Sequence, residues 1–130
     1  MTRTMTITRT ITIPDPIPVE GYREKTAKQM TERDLLANVT QAARLLGWLA
    51  YHTHISKHSE SGFPDLILIE RTDAEAARII AAELKRESAG PSPAQVVWLD
   101  AFFDAGVETY LWRPSHWLSG EIESVLRGRS

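Results

Sequence analysis

The fold of this chain depends on one stretch, Ile79-Ile80-Ala81-Ala82-Glu83-Leu84-Lys85. Together with residues 73–78 it is rich in strong helix formers, so local propensity alone predicts a helix. Tertiary context can override that weak preference, and a strand is the alternative. The difference matters for Glu83 and Lys85, because residues two apart share a face on a strand but point in nearly opposite directions on a helix.

Helices and strands are predicted on both sides of this stretch by capping residues and apolar periodicity. Thr31, with Asp34 three residues later, can cap a helix that stops at Gly47. Ser92, Pro93 and Gln95 form the start signal of a second helix, whose inner stripe is Val96, Leu99, Phe102 and Phe103. Strands are predicted at 48–54, 66–69 and 107–112, and a last helix begins at Pro114.

The N-terminal segment has a different pattern. Every even position from Thr2 to Thr12 is threonine, which predicts a strand with one hydroxyl face, although a frayed terminus is an equal alternative. Pro14, Pro16 and Pro18 then form a stiff connector. Residues 20–30 are polar and mixed in charge. We therefore expect an N-terminal arm over 1–30 and a compact domain over 31–130.

Composition limits the classes of function. The 130 residues are 42% hydrophobic and 25% charged, as in an ordinary globular domain. No apolar run approaches the length of a membrane span, and the start does not resemble a signal peptide. The absence of cysteine excludes thiolate metal sites and a cysteine nucleophile, and we expect a cytoplasmic protein. With a net charge of −2, any nucleic-acid partner would be held by a local basic patch or through metal ions.

Three polar residues adjoin the apolar runs. Asp65 precedes the strand at 66–69, while Glu83 and Lys85 end the stretch at 79–85. If the two segments pair as strands, all three side chains converge at one sheet edge. Neighbouring carboxylates repel unless a divalent cation neutralises them, and oxygen ligands favour Mg²⁺ or Mn²⁺. Such an ion with a lysine beside it is suited to phosphodiester hydrolysis.

These residues carry a family resemblance. Gly62-Phe63-Pro64-Asp65, then Glu83-Leu84-Lys85, then Ser92-Pro93-Ala94-Gln95 resemble the VRR-NUC domain, the virus-type replication–repair branch of the Pro-Asp…(Asp/Glu)-x-Lys nuclease superfamily. Either short motif alone carries little information, but both in this order and spacing are much more specific. The resemblance covers about residues 31–113. It implies an α/β fold of the restriction-endonuclease type, an α-β-β-β-α-β core with a central mixed sheet flanked by helices, in which 79–85 is a strand.

The resemblance also implies functions for individual residues. Asp65 and Glu83 would be metal ligands, with Lys85 as the catalytic lysine. Glu32 would add an outer carboxylate, although an acid in the first turn of a helix needs no such function. Gln95 would lie beside the site, although closing a capping box with Ser92 explains it equally well. The implied activity is Mg²⁺- or Mn²⁺-dependent DNA cleavage, and small stand-alone phage members are homodimers that act on branched DNA such as Holliday junctions.

Two other functions remain open at this point. The chain could be a non-catalytic DNA-binding or assembly module on the same fold. It could also be an unrelated histidine-metal enzyme, because His52 and His54 would share a strand face with His58 nearby. Lys57, His58 and Arg86 could supply the basic patch, though scattered surface cations explain them equally well. For the tryptophans at 98, 112 and 117, core packing is favoured over base stacking.

Overall fold

The computed structural model describes residues 2–6, 10–14, 22–54, 60–73 and 76–128. Its elements, in chain order, are β1 (Thr2–Thr6), β2 (Thr10–Pro14), α1 (Tyr22–Gln29), α2 (Glu32–Leu45), β3 (Trp48–His52), β4 (Leu66–Glu70), β5 (Ile79–Leu84), α3 (Pro93–Asp104), β6 (Glu108–Trp112), α4 (Pro114–Leu118) and α5 (Glu121–Leu126). From α2 to β6 this order is the predicted α-β-β-β-α-β core. The α/β fold class is therefore confirmed.

The central sheet has four strands in the order β3-β4-β5-β6. The pairs β3–β4 and β4–β5 are antiparallel, whereas β5 and β6 are parallel, so the sheet is mixed as predicted. In the β4–β5 register, Leu66 lies opposite Ala82. Continuing this pairing by one residue brings Asp65 opposite Glu83, at the end of the sheet where β4 begins and β5 ends.

The contested stretch is a strand. Five consecutive residues of β5, from Ile80 to Leu84, are buried, because the strand has a hydrogen-bonded neighbour on each side and both of its faces are covered. Small alanines at positions 81 and 82 allow this close packing. Burial and two-sided pairing thus outweigh the helical propensity of the isolated segment.

Both predicted capping boxes are present. The Asp34 backbone N–H donates to Thr31 Oγ1 at 3.0 Å, and the Thr31 backbone N–H donates to the Asp34 carboxylate at 3.3 Å. Ser92 and Gln95 make the same reciprocal pair at the start of α3. These local hydrogen bonds satisfy amide groups that lack a partner within the helix.

The main core lies between one sheet face and helices α2 and α5. Trp112 belongs to it, and Trp117 packs against it, so core packing is confirmed for both. Trp98 instead lies on the other face, in edge-to-face contact with Phe63 at a ring separation of 5.1 Å. The prediction for Phe103 was wrong, because its side chain is 41% exposed and lies off the buried stripe of α3.

Three further features differ from the sequence-based predictions. The threonine-rich segment forms an antiparallel pair of short strands, with Thr6 opposite Thr10, rather than one strand. Residues 22–29 form α1, which contacts α4 and buries Ala27, although their polar composition predicted no element. The last helix is divided into α4 and α5 at Gly120, whose φ is +84°. The division of the chain at residue 31 stays a prediction.

No helix in the described part of the chain has the length and apolar character needed to cross a membrane.

Candidate active site

Asp65 is positioned by contacts on both sides of the chain. The Thr53 backbone N–H donates to the Asp65 carbonyl, and the Thr53 hydroxyl donates to the Pro64 carbonyl, both at 2.8 Å. On the other side, the Leu84 backbone N–H donates to Asp65 Oδ2 at 2.8 Å. The carboxylate is thereby held against the end of β5. Thr53 was not predicted to have this function, since only the β3–β4 pairing brings it to Asp65.

The loop before Asp65 is fixed against α3. Gly62 has a φ of +89°, a conformation that side chains disfavour, and a Cβ atom there would collide with the Ala94 carbonyl group. Next to it, Phe63 packs against Trp98 and Phe102. The glycine before Pro64-Asp65 therefore lets this loop approach the first turn of α3 closely.

Glu83 and Lys85 point to the same face of the sheet, as the strand assignment requires. Lys85 Nζ lies 3.7 Å from Glu83 Oε2. Only 1% of Glu83 is exposed, whereas the Lys85 side chain retains 14% exposure. The structure thus brings Asp65, Glu83 and Lys85 together at one sheet edge.

Gln95 lies in both of the places considered for it, in the capping box and beside the site. Its Oε1 accepts a hydrogen bond from the Ser92 backbone N–H at 2.8 Å, which closes the capping box. Its Nε2 donates to Glu83 Oε2 at 2.7 Å. The start of α3 therefore orients the buried carboxylate directly.

The protonation of Glu83 reflects its surroundings. Burial, and then the negative charge of Asp65, raise the pKa of Glu83 from 4.5 to about 8, although Lys85 acts in the opposite direction. The two carboxyl groups are close enough to share a hydrogen bond when one is protonated. One lysine is insufficient to offset two carboxylates in a buried site.

The residues present fit a divalent cation. Glu83 Oε1 is buried and has no hydrogen-bond partner within the described residues, while Oε2 is occupied by Gln95. An unpartnered buried carboxylate oxygen beside a second carboxylate is suited to a hard cation. Mg²⁺ is commonly held by only one or two protein carboxylates, with water and phosphate completing its coordination.

Glu32 does not join this pair. It is exposed at the first position of α2, and no three His, Cys, Asp or Glu side chains of the described ranges form a group that could hold a metal ion. The same finding leaves His52 and His54 without a third ligand among those ranges, although their rings are 4.2 Å apart. A metal-binding function for Glu32 stays a prediction.

The predicted basic patch is described only in part. Arg86 is exposed, and its Nη2 donates to the Lys28 carbonyl at 3.5 Å. Lys57 and His58 lie outside the described residues. DNA binding by these three side chains stays a prediction.

The comparison with family models identifies the chain. The model of the VRR-NUC domain matches residues 6–115, which is most of the sequence. The chain belongs to the VRR-NUC family. The resemblance predicted from residues 31–113 is thereby confirmed, and the match extends into the threonine-rich arm. A VRR-NUC domain is a nuclease-type domain, for which DNA is the implied substrate.

A solved structure supports the fold. A chain described as a VRR_NUC domain superimposes with a TM-score of 0.56 at 23% identity, covering 72% of this chain and 97% of that chain. At this identity the likeness concerns the fold alone. A search of curated proteins returned no match.

Proposed function

We propose that this VRR-NUC domain is an Mg²⁺- or Mn²⁺-dependent endodeoxyribonuclease that hydrolyses phosphodiester bonds in branched DNA, such as Holliday junctions. The observation that carries the proposal is the convergence of Asp65, Glu83 and Lys85 around a buried carboxylate oxygen that has no hydrogen-bond partner in the described part of the chain. The proposed location is the cytoplasm of a bacterial or phage-infected cell.

Asp65 and Glu83 would hold the metal ion. When bound, the ion supplies positive charge that polarises the scissile phosphate and acidifies water. Gln95 Nε2 fixes Glu83 Oε2, so that Oε1 remains available as the ligand atom. The Leu84 N–H fixes the Asp65 carboxylate in the same way.

Lys85 acts on the phosphate. In the reaction, a water oxygen bonds to phosphorus and gives up a proton to solvent, one phosphorus–oxygen ester bond breaks, and the departing oxygen takes up a proton. Negative charge increases on the phosphoryl oxygens in the transition state. The Lys85 ammonium group, held beside Glu83 and still accessible, stabilises that charge.

Homodimerisation is part of the proposal. Ile69 on β4 is paired with Leu49 on β3 and with Ile79 on β5, and each of the three is more than two-fifths exposed. Tyr51, on edge strand β3, is 61% exposed. This apolar row lies on the half of the sheet next to the edge strand β3. A second copy of the chain would bury it.

The proposed activity is tested with labelled four-way junction, flap and linear duplex DNA, each with Mg²⁺ and with EDTA. Wild-type protein should cut the junction only with the metal, and Asp65→Ala and Lys85→Ala should each lower the rate by about 100-fold or more. Glu123→Ala and Arg127→Ala are matched controls, because these side chains form an exposed ion pair at the end of α5. They should cut at the wild-type rate.

Circular dichroism must show that the two site variants are folded. Undiminished cutting by either folded variant contradicts the catalytic assignment. Equal cutting of linear duplex and junction contradicts the preference for branched DNA. Tight junction binding with no cleavage in any metal favours the non-catalytic alternative.

A further inference from the structure

A groove of about 680 Å³ lies between α2 and the edge strand β3, outside the candidate active site. Its polar lining consists of Arg33, Thr40, Gln41 and Arg44 from α2 and His52 from β3. The four helical residues are spaced so that they form one stripe along α2. None of them was assigned a function from the sequence.

The groove is positively charged. Arg33 and Arg44 are exposed, and no carboxylate of the described ranges lies within 4.0 Å of either guanidinium. Arg44 makes one long contact, from Nη2 to the Ala50 carbonyl at 3.5 Å, so most of its donors remain available. The two arginines are eleven positions apart, or about 16 Å along the helix.

Thr40 supplies an independent indication of a ligand. Its side chain lines the groove, and the residue is only 8% exposed. Its Oγ1 atom is buried and has no hydrogen-bond partner within the described residues. Buried hydroxyl groups normally have a partner, so an acceptor oxygen brought by a ligand would satisfy this one.

One end of the groove, at His52, lies at the same end of the sheet as the candidate active site but on the opposite face, because His52 points towards α2 and Glu83 towards α3. His52 is paired with Leu66, the residue after Asp65. The next residue, Thr53, bonds directly to the Asp65 carbonyl. DNA bound in the groove would therefore reach the two carboxylates by passing around this end of the sheet.

We propose that the groove between α2 and β3 binds the phosphate backbone of the DNA strand that flanks the scissile bond, an inference that rests on the proposed function for its substrate. Arg33 and Arg44 contact two non-adjacent phosphates of the strand, as their separation along the helix requires, and the guanidinium fork is well suited to such contacts. The Thr40 hydroxyl donates to a phosphate oxygen. Such contacts fix the position of DNA without reading its sequence.

The charge contacts are tested by fluorescence anisotropy with a labelled four-way junction in EDTA at several salt concentrations. The Arg33→Ala/Arg44→Ala double variant should weaken binding by about tenfold and lower the slope of log K against log salt by about 2. Arg127→Ala, which removes a cation outside the groove, should change neither quantity. Wild-type affinity and slope in the double variant would overturn the proposal.

The hydroxyl contact is tested by Thr40→Val, which keeps the shape of the side chain. We expect several-fold weaker DNA binding, together with a melting temperature equal to or above that of wild type, because no protein hydrogen bond is lost. A purely structural function predicts wild-type affinity, and that result would overturn the assignment of Thr40.

Cleavage assays separate this proposal from the proposed function. With Mg²⁺, the double variant should raise KM and leave kcat unchanged. A wild-type protein that binds junctions through the groove but never cuts them contradicts the nuclease activity alone. A double variant that cuts with wild-type KM contradicts the groove alone, and failure of the wild-type protein to bind DNA overturns the groove as well.

Discussion

At the scale of single residues, Glu83 determines the character of the site. It is nearly inaccessible to water, and it has Asp65 on one side and a single lysine on the other. Its charged form is therefore unfavourable in the folded protein without metal. The same property that destabilises the free carboxylate favours the binding of a divalent cation.

The pH dependence of stability should report this property. Because the folded-state pKa of Glu83 is raised from 4.5 to about 8, its protonated form stabilises the fold below about pH 4.5, and this contribution is lost as the pH rises through about 8. Without metal, the melting temperature should therefore fall from about pH 5 to about pH 9. Thermal unfolding followed by circular dichroism in EDTA, at several pH values, measures this fall in melting temperature.

The control for this experiment is Glu83→Gln, which removes the titrating group and should flatten that part of the pH profile. Addition of Mg²⁺ at high pH should raise the melting temperature of the wild-type protein more than that of the variant. Identical pH profiles for the two proteins would refute the assignment of the shift to Glu83.

At the scale of elements, the contact between the Gly62 loop and α3 aligns the site. The loop carries Asp65, and the first turn of α3 carries Gln95, which binds Glu83. Gly62 allows the two segments to approach because it lacks a side chain. Gly62 thus allows the Pro64-Asp65 motif to lie close to the start of α3, although the two are far apart in the sequence.

We predict that Gly62→Ala destabilises the protein by roughly 1–3 kcal/mol, because it adds both strain at positive φ and a collision with the Ala94 carbonyl group. Urea unfolding measures this loss. Gly90→Ala is the matched control, since a Cβ there meets nothing within 4 Å, and its effect should stay within about 0.5 kcal/mol. Equal unfolding free energies for the two variants would show that the close approach does not limit stability.

At the scale of the whole molecule, the sheet is covered unevenly. Helices α2 and α5 cover one face, but on the other face α3 contacts β5 and β6, while Leu49 and Tyr51 of β3 and Ile69 of β4 remain exposed. Exposed apolar rows of this kind are costly in water. Burial by a second copy would remove the cost and place two active sites in one particle.

Light scattering tests this proposal. Wild-type protein should have twice the monomer mass of 14.6 kDa, and Ile69→Lys should be monomeric because it places a charge in the centre of the row. Val97→Lys, at a more exposed apolar position on α3, should remain dimeric. A wild-type mass of one chain, or a dimer that survives Ile69→Lys, contradicts the proposed interface.

Much of the local structure was predictable from the sequence. The capping boxes at Thr31 and Ser92 and the apolar periodicity of α2 depend on neighbouring residues, so short-range rules are sufficient for them. The order and spacing of Gly62-Phe63-Pro64-Asp65 and Glu83-Leu84-Lys85 predicted the family. They also predicted which three side chains would meet.

Other features were decided only by the tertiary structure. The strand β5 forms because β4 and β6 pair with it and helices cover it, which outweighs the preference of its alanines and leucine for a helix. Helix α1 is stabilised by contact with α4, and Thr53 and His52 owe their positions to the pairing of β3 with β4. The sequence determines what each segment prefers by itself, whereas contacts between distant segments contribute the larger free energy where the two conflict.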